Sequence, residues 1–281
     1  MAAGTRTPVS EKRPFTTTPI SAGTELAQGN GKRQRLMTPA EATLGKWARN
    51  AAFRLKTLGW EGLVTEVRGK SNMTETVGTI PHKAARALDH LRRRGASVPT
   101  STPPWTQAQF DQAAARGSHQ SAAAHVDFVC EELLEFCQQG YWLVLPLVVV
   151  RAWHNLRLSP LGVVPQRDRR PRLIVDYTFS NVNTETVRMA PPEAMQFGRS
   201  LHRILTSLVH VNPRFGPPKS AKIDVADGFY RVWVRLSDIP KLGVVLPCQG
   251  GEPLIAFPLA LPMGCLGGEP SLLHHAHGNS M

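Results

Sequence analysis

The chain has 281 residues, 42% of them hydrophobic, and a formal net charge of +12 at pH 7. That size and composition exclude wholesale disorder, leave room for one large or two modest domains, and point to a polyanionic partner, nucleic acid in the simplest case. A membrane span and a secretory signal are also excluded: Tyr141 to Val150 is interrupted by Pro146 and closed by Arg151, and Met1 to Ile20 is threaded with Arg6, Glu11, Lys12 and Arg13, so an intracellular location is expected, without a choice between nucleus and cytoplasm.

Residues 1–37 are rich in Thr, Pro, Gly and basic residues and show no apolar period, the composition of a disordered basic tail. Structure is expected from Thr38, which can cap a helix with Pro39 at its first position and Glu41 closing a capping box. Leu44, Trp47, Ala48, Ala51, Leu55 and Leu58 recur at helical spacing up to a stop at Gly59. Lys46, Arg49, Arg54 and Lys56 lie off that stripe, so the helix packs one side and offers positive charge on the other. A second helix is predicted from Pro81 to Arg94, with Ala84, Leu88 and Leu91 inward, Arg92 to Arg94 offsetting the helix dipole, and Gly95 as terminator. These helices make residues 38–96 a helical region. Residues 97–120 read as a linker, most clearly in the Pro- and Ser-rich stretch Ser97 to Pro104.

The remaining part, residues 121–281, opens with a predicted helix from Ser121 to Gln139 carrying Val126, Val129, Leu133 and Phe136 on one stripe, with Gly140 after it. The period then changes. Tyr141 to Leu145, Leu161 to Val164 and Leu173 to Tyr177 are short β-type runs, helical signal returns from Pro192 to His210, and Ile223 to Val225 is a strand. Gly243 to Leu246 and Leu254 to Phe257 suggest a hairpin around Gln249-Gly250-Gly251-Glu252. Strands interleaved with helices give an α+β class with a mixed sheet. Cys130 and Cys137 fall about 10 Å apart along one helix, too far for a disulfide or a shared tetrahedral metal, so the cysteines, Cys248 and Cys265 included, read as free buried thiols. His274, His275 and His277 lack companion ligands at metal spacing.

Three segments carry the chemistry. Ser159 to Asn183 is a basic pair of strands with Arg167, Arg169, Arg170 and Arg172, followed by Val175-Asp176-Tyr177 and Asn181. Taken alone it is an ordinary basic hairpin. Lys222 to Arg231 ends a β-prone run on Asp224, repeats an aspartate at Asp227, and continues through Gly228, Phe229 and Tyr230. Alone, that is a surface turn. Phe257 to Cys265 contains Leu261-Pro262-Met263-Gly264, where a glycine permits close approach of a ligand.

In this order the segments resemble the fingers, motif A and the start of motif B of reverse transcriptases of retrotransposon-like elements, over roughly residues 121–265. The resemblance implies an incomplete fingers/palm domain that binds RNA template, DNA primer and dNTP. Arg172 falls at the triphosphate-binding arginine, a role that suits the paired donors of a guanidinium. The turn before it holds Gln166 and Arg167 where the family usually has lysine. Asp224, helped by the Val225 carbonyl, matches the Mg²⁺-binding position, and Mg²⁺ is the implied cofactor. Asp227 and the backbone of Gly228 and Phe229 match the seat of the triphosphate tail. Phe229 matches the aromatic that excludes a 2′-hydroxyl and so favours a DNA product. Met263 and Gly264 belong to the turn against the template–nucleotide pair. Nucleotidyl transfer needs two metals about 4 Å apart, and the sequence has no Asp-Asp pair and no aspartate after Asp238. A catalytically incomplete fragment, ending before the family's Tyr-x-Asp-Asp hairpin, is therefore expected. A non-catalytic basic nucleic-acid-binding protein is the alternative.

Overall fold

Thr38 opens the first helix, α1 (Pro39–Arg68), with the expected reciprocal cap. Its Oγ1 accepts the Glu41 N–H at 3.2 Å, and Glu41 Oε2 accepts the Thr38 N–H at 2.9 Å. The structure, a computed structural model, describes residues 37–71, 81, 85–187, 200–212, 214, 216–219, 228–247 and 251–263. The basic tail, the strand at Ile223 to Val225, the start of the helix predicted at Pro192, Cys248, Cys265 and the three late histidines lie outside these residues.

Gly59 leaves helical geometry (φ 70, ψ 178), as a stop should, but the helix resumes and runs to Arg68. Leu63, Val64 and Val67 renew the apolar period and are buried, so packing restarts what the glycine interrupts. Helix α2 (Ala85–Arg94) ends at Gly95, whose φ is 76.

The stretch read as a linker runs through packed structure. Ala96 bridges to Val234, Thr100 bridges to Thr186, and Val98 is fully buried. Buried Asp238 accepts the Val98 N–H at 2.9 Å and the Ser97 hydroxyl at 3.2 Å, and pairs with Lys241 Nζ at 2.6 Å. Helix α3 (Gln107–Arg116) follows, capped by Thr106 and Gln109. Prolines and serines make this segment irregular, while side-chain and backbone bonds to distant residues hold it. It belongs to one compact unit spanning Arg35–Met281 and does not divide that unit.

The helix expected from Ser121 to Gln139 is broken at His125 into α4 (Gln120–Ala124) and α5 (Val126–Gln138). The start of α4 is pinned to the sheet: the His119 N–H bonds Leu161 O at 2.9 Å, and Ser121 Oγ accepts the Val163 N–H at 3.1 Å. Val126, Val129 and Leu133 are buried as predicted.

The sheet is five-stranded in the order β1-β5-β4-β2-β3, built from β1 (Trp142–Pro146), β2 (Leu158–Gln166), β3 (Arg169–Val175), β4 (Gly243–Val245) and β5 (Leu254–Pro258). Only β2 and β4 run parallel; β1–β5, β4–β5 and β2–β3 are antiparallel. The chain is therefore α+β with a mixed sheet. Alternate residues divide the core between the two faces. Trp142, Val144, Val244, Leu254 and Ala256 pack with Leu44, Ala48 and the apolar stripe of α5. Leu143, Leu145, Val245, Ile255 and Phe257 pack with Leu63, Val67, Phe110 and Val234. Helix α1 contributes to both clusters and covers the β1 edge, which a bare edge strand requires.

Among the described residues no helix is long and apolar enough to cross a membrane. Cys130 and Cys137 are both buried, and Cys137 is a free thiol. Burial pushes the Cys137 thiol up from 9.0 to about 12, against a smaller downward pull from Lys70. Between those values the unfolded chain gives up a proton that the folded chain keeps. Stability therefore falls as pH rises above 9, with a limiting slope of about 1.4 kcal/mol per pH unit. Urea unfolding across that range should show the slope, and Cys137→Ala should remove it.

Candidate nucleotide and nucleic-acid interface

The basic hairpin is formed by β2 and β3. Arg172 stands opposite Val164, and Ile174 stands opposite Gly162. The register shifts between Val164 and Gln166, so two β3 residues, Arg170 and Pro171, oppose the single Pro165. A bulge of this kind breaks the alternation of side chains. Arg170 is drawn onto α5, where it pairs with Glu132 at 2.6 Å and Glu135 at 3.5 Å and lies 5.5 Å from the Phe128 ring. Arg172 remains exposed and forms no ion pair among the described residues. Of these two strand arginines, Arg172 is the one left open to an external anion.

Just past β3, Asp176 organises the turn that follows. Its Oδ1 accepts the Phe179 N–H at 2.9 Å, and its Oδ2 lies 3.3 Å from His119 Nε2. His119 meets the Phe179 ring edge-on, and the Arg116 guanidinium sits 4.5 Å from that ring. Asn181 takes a left-handed conformation (φ 61), and the Asn183 side chain donates to Thr178 Oγ1 at 3.1 Å. A pocket of about 250 Å³ opens beside this turn, lined by Trp105, Gln109, Arg116, Phe179 and Asn181 among others. Its partners from α3 come from the stretch that the sequence marks only as linker. The aspartate with an N–H three residues on is the local signal; nothing local announces His119 or Arg116.

The residues that follow Gly228–Arg231 and those leading to Met263 meet along a backbone seam. Gly228–Arg231 forms a 3₁₀ turn, and the chain then runs antiparallel to the segment after β5. Leu261 N–H bonds Val232 O at 2.8 Å, Val234 N–H bonds Leu259 O at 2.9 Å, and Trp233 bridges Ala260. Tyr230 anchors the turn by stacking on Tyr141, with ring centroids 5.0 Å apart. Arg68 fastens the seam from outside. Its Nη2 donates to Val234 O at 2.5 Å and to Leu259 O at 3.0 Å, and the guanidinium lies 5.0 Å from the Trp233 ring. Burial lowers the Arg68 pKa from 12.5 to about 10. Sequence reasoning missed Arg68, because it sits in the part of α1 beyond the expected stop.

The seam thus brings the turn holding Gly228 and Phe229 to the same stretch as Met263, which is 66% exposed. Arg172 is not part of the seam; it lies on the far edge strand, β3. Asp224, Val225, Asp227 and Gly264 lie outside the described residues, so the implied Mg²⁺ donors do too. Among the described residues no group of three or more His, Cys, Asp or Glu side chains forms a metal-binding cluster. No family model matches the chain, and no curated protein matches it.

Proposed function

We propose that this chain is a reverse-transcriptase-like protein, related to RNA-directed DNA polymerases, that binds an RNA template, a DNA primer and a dNTP. The observation that best supports this is the seam. The residues that directly follow the motif A-like segment, Val232 to Val234, run side by side with the motif B-like segment through the Val232–Leu261 and Val234–Leu259 hydrogen bonds. In the proposed roles Arg172 takes the triphosphate, the backbone of Gly228 and Phe229 seats its tail, and the turn at Met263 and Gly264 lies against the template–nucleotide pair. Mg²⁺ on Asp224 and the Val225 carbonyl would offset triphosphate charge. Asp227 belongs to the same proposed nucleotide seat. With Asp224 the one carboxylate at a matching metal position and no Asp-Asp pair in the sequence, the chain is proposed to bind without extending a primer.

The test is binding of a labelled primer–template with and without the complementary dNTP, in Mg²⁺. Added dNTP should tighten the complex, and Arg172→Ala should weaken that response about tenfold or more, the loss expected for charge-assisted hydrogen bonds. An unchanged dNTP response in Arg172→Ala would sink the nucleotide role. The charge of +12 favours what would then remain, a non-catalytic basic protein whose log affinity for nucleic acid falls linearly with log salt. Primer extension that is abolished by Asp224→Ala would show instead that the metal site is complete.

A further inference from the structure

Helix α1 and the β1 edge enclose a second pocket, about 400 Å³ in volume, far in sequence from the motifs above. Thr43, Lys46, Trp47, Asn50 and Arg54 line it from α1. Thr43, Trp47, Asn50 and Arg54, spaced by three and four residues, form one helical stripe, with Lys46 beside it. Lys70, just past the helix end, closes the mouth, with Nζ 5.0 Å from the Trp47 ring. Arg54 is held by Glu66. Lys46 and Lys70 are exposed and form no ion pair among the described residues, and no carboxylate lines the pocket. The floor is apolar, made of Leu63, Val67 and the β1 residues Leu143 and Val144. Trp142 also lines the pocket but is 2% exposed, and its indole N–H is closed off from the opening, with no acceptor among the described residues. A buried donor without a partner is uncommon in folded proteins.

These features select a ligand. Two ammonium groups without a carboxylate partner ask for an anion. The volume and the apolar floor exceed what an inorganic phosphate fills, and they ask for a flat, weakly polar body beside that anion. Trp47 offers a ring, while Asn50 offers hydrogen bonds to such a body. An unpaired base with its phosphates satisfies all of these requirements, and aromatic rings flanked by cations are how single strands are held.

We infer that the α1–β1 pocket binds single-stranded nucleic acid, with a base against Trp47 and backbone phosphates on Lys46 and Lys70. This rests on the function proposed above only in taking nucleic acid as the partner; the site is separate from Arg172 and the seam.

The experiment measures binding of a fluorescent oligo(U) and of a duplex of equal length across a salt series. It compares the full chain with Lys46→Ala/Lys70→Ala, Lys56→Ala and Arg172→Ala. Lys56 lies on exposed α1 surface outside the pocket. The double variant should lose about tenfold or more in oligo(U) affinity. Its salt slope should flatten by about 1.4, two phosphate contacts at about 0.7 each for a single strand. Lys56→Ala should change neither, and duplex binding should fall less than oligo(U) binding. Trp47→Phe, which keeps a ring, should retain affinity. An unchanged salt slope in the double variant, an equal loss in Lys56→Ala, or equal losses for duplex and single strand would each overturn the inference. The dNTP response should persist in the double variant and fail in Arg172→Ala, so the two sites fail separately. Because both lysines are exposed, the thermal transition of the double variant should match that of the parent.

Discussion

Glu185→Ala is expected to destabilise the fold by about 3–5 kcal/mol, because it strands a buried guanidinium. Arg157 is 1% exposed, and its Nε lies 2.7 Å from Glu185 Oε2. Its Nη2 also donates to Thr102 Oγ1 at 2.9 Å and to Pro103 O at 3.1 Å. Glu185 in turn accepts from the Thr102 hydroxyl at 2.9 Å and from the Trp105 indole at 3.2 Å. The pair therefore ties the irregular stretch before α3 to the residues that follow β3. Removing the carboxylate takes away the only charge that offsets Arg157 within this network. The two neutral donors lose their acceptor as well. Replacing both partners, as in Arg157→Met/Glu185→Leu, should cost less than Glu185→Ala alone, since no buried charge then remains. Urea unfolding of the single and double variants measures this. A loss under about 1 kcal/mol in Glu185→Ala would mean that water reaches Arg157 and screens it.

What the sequence shows and what it hides divide along contact range. The cap at Thr38 and Glu41, the buried stripe of α5 and the short apolar β-type runs of β1 and β5 are local patterns of residue type, and the structure carries each of them. The linker expectation failed at Ser97 to Pro104 because what orders that segment is remote: Asp238, Thr186 and Val234 supply its partners, and composition holds no trace of them. The same holds within the candidate interface. Arg172 can be located on a hairpin strand from the pattern around it. That Arg170, two residues earlier, is consumed by Glu132 and Glu135 depends on a bulge and on where α5 lies. Arg68 shows the limit most plainly. Its role is fixed by two backbone carbonyls that are 166 and 191 residues away, and it lies beyond a glycine that local rules read as the helix end.

Gly95→Ala should be among the most damaging single-methyl additions in this chain, and its effect should concentrate on the seam between residues 232–234 and 259–261. Gly95 adopts φ +76, and a Cβ there would meet Arg235 N and Val234 C at 2.6 Å and Val234 O at 2.7 Å. All are backbone atoms, so no side-chain rotation relieves the clash. The neighbouring bonds, Ala96 N–H to Trp233 O and Arg235 N–H to Ala96 O, are each 2.7 Å long and leave no slack. Gly117 provides the comparison. It has φ 69 and ψ −154, a region open essentially to glycine, yet a Cβ there would meet nothing within 4 Å. Gly117→Ala should therefore carry the backbone penalty alone, about 1–3 kcal/mol. Gly95→Ala should exceed it by at least about 2 kcal/mol, the strain of forcing packed atoms apart. Amide exchange at Ala96 and Arg235 should accelerate in Gly95→Ala and stay unchanged in Gly117→Ala. Equal stability losses in the two variants would show that the α2 exit moves freely against Val234. The segment that leads from Gly228 and Phe229 into the seam would then lack the rigid support that the proposed nucleotide seat requires.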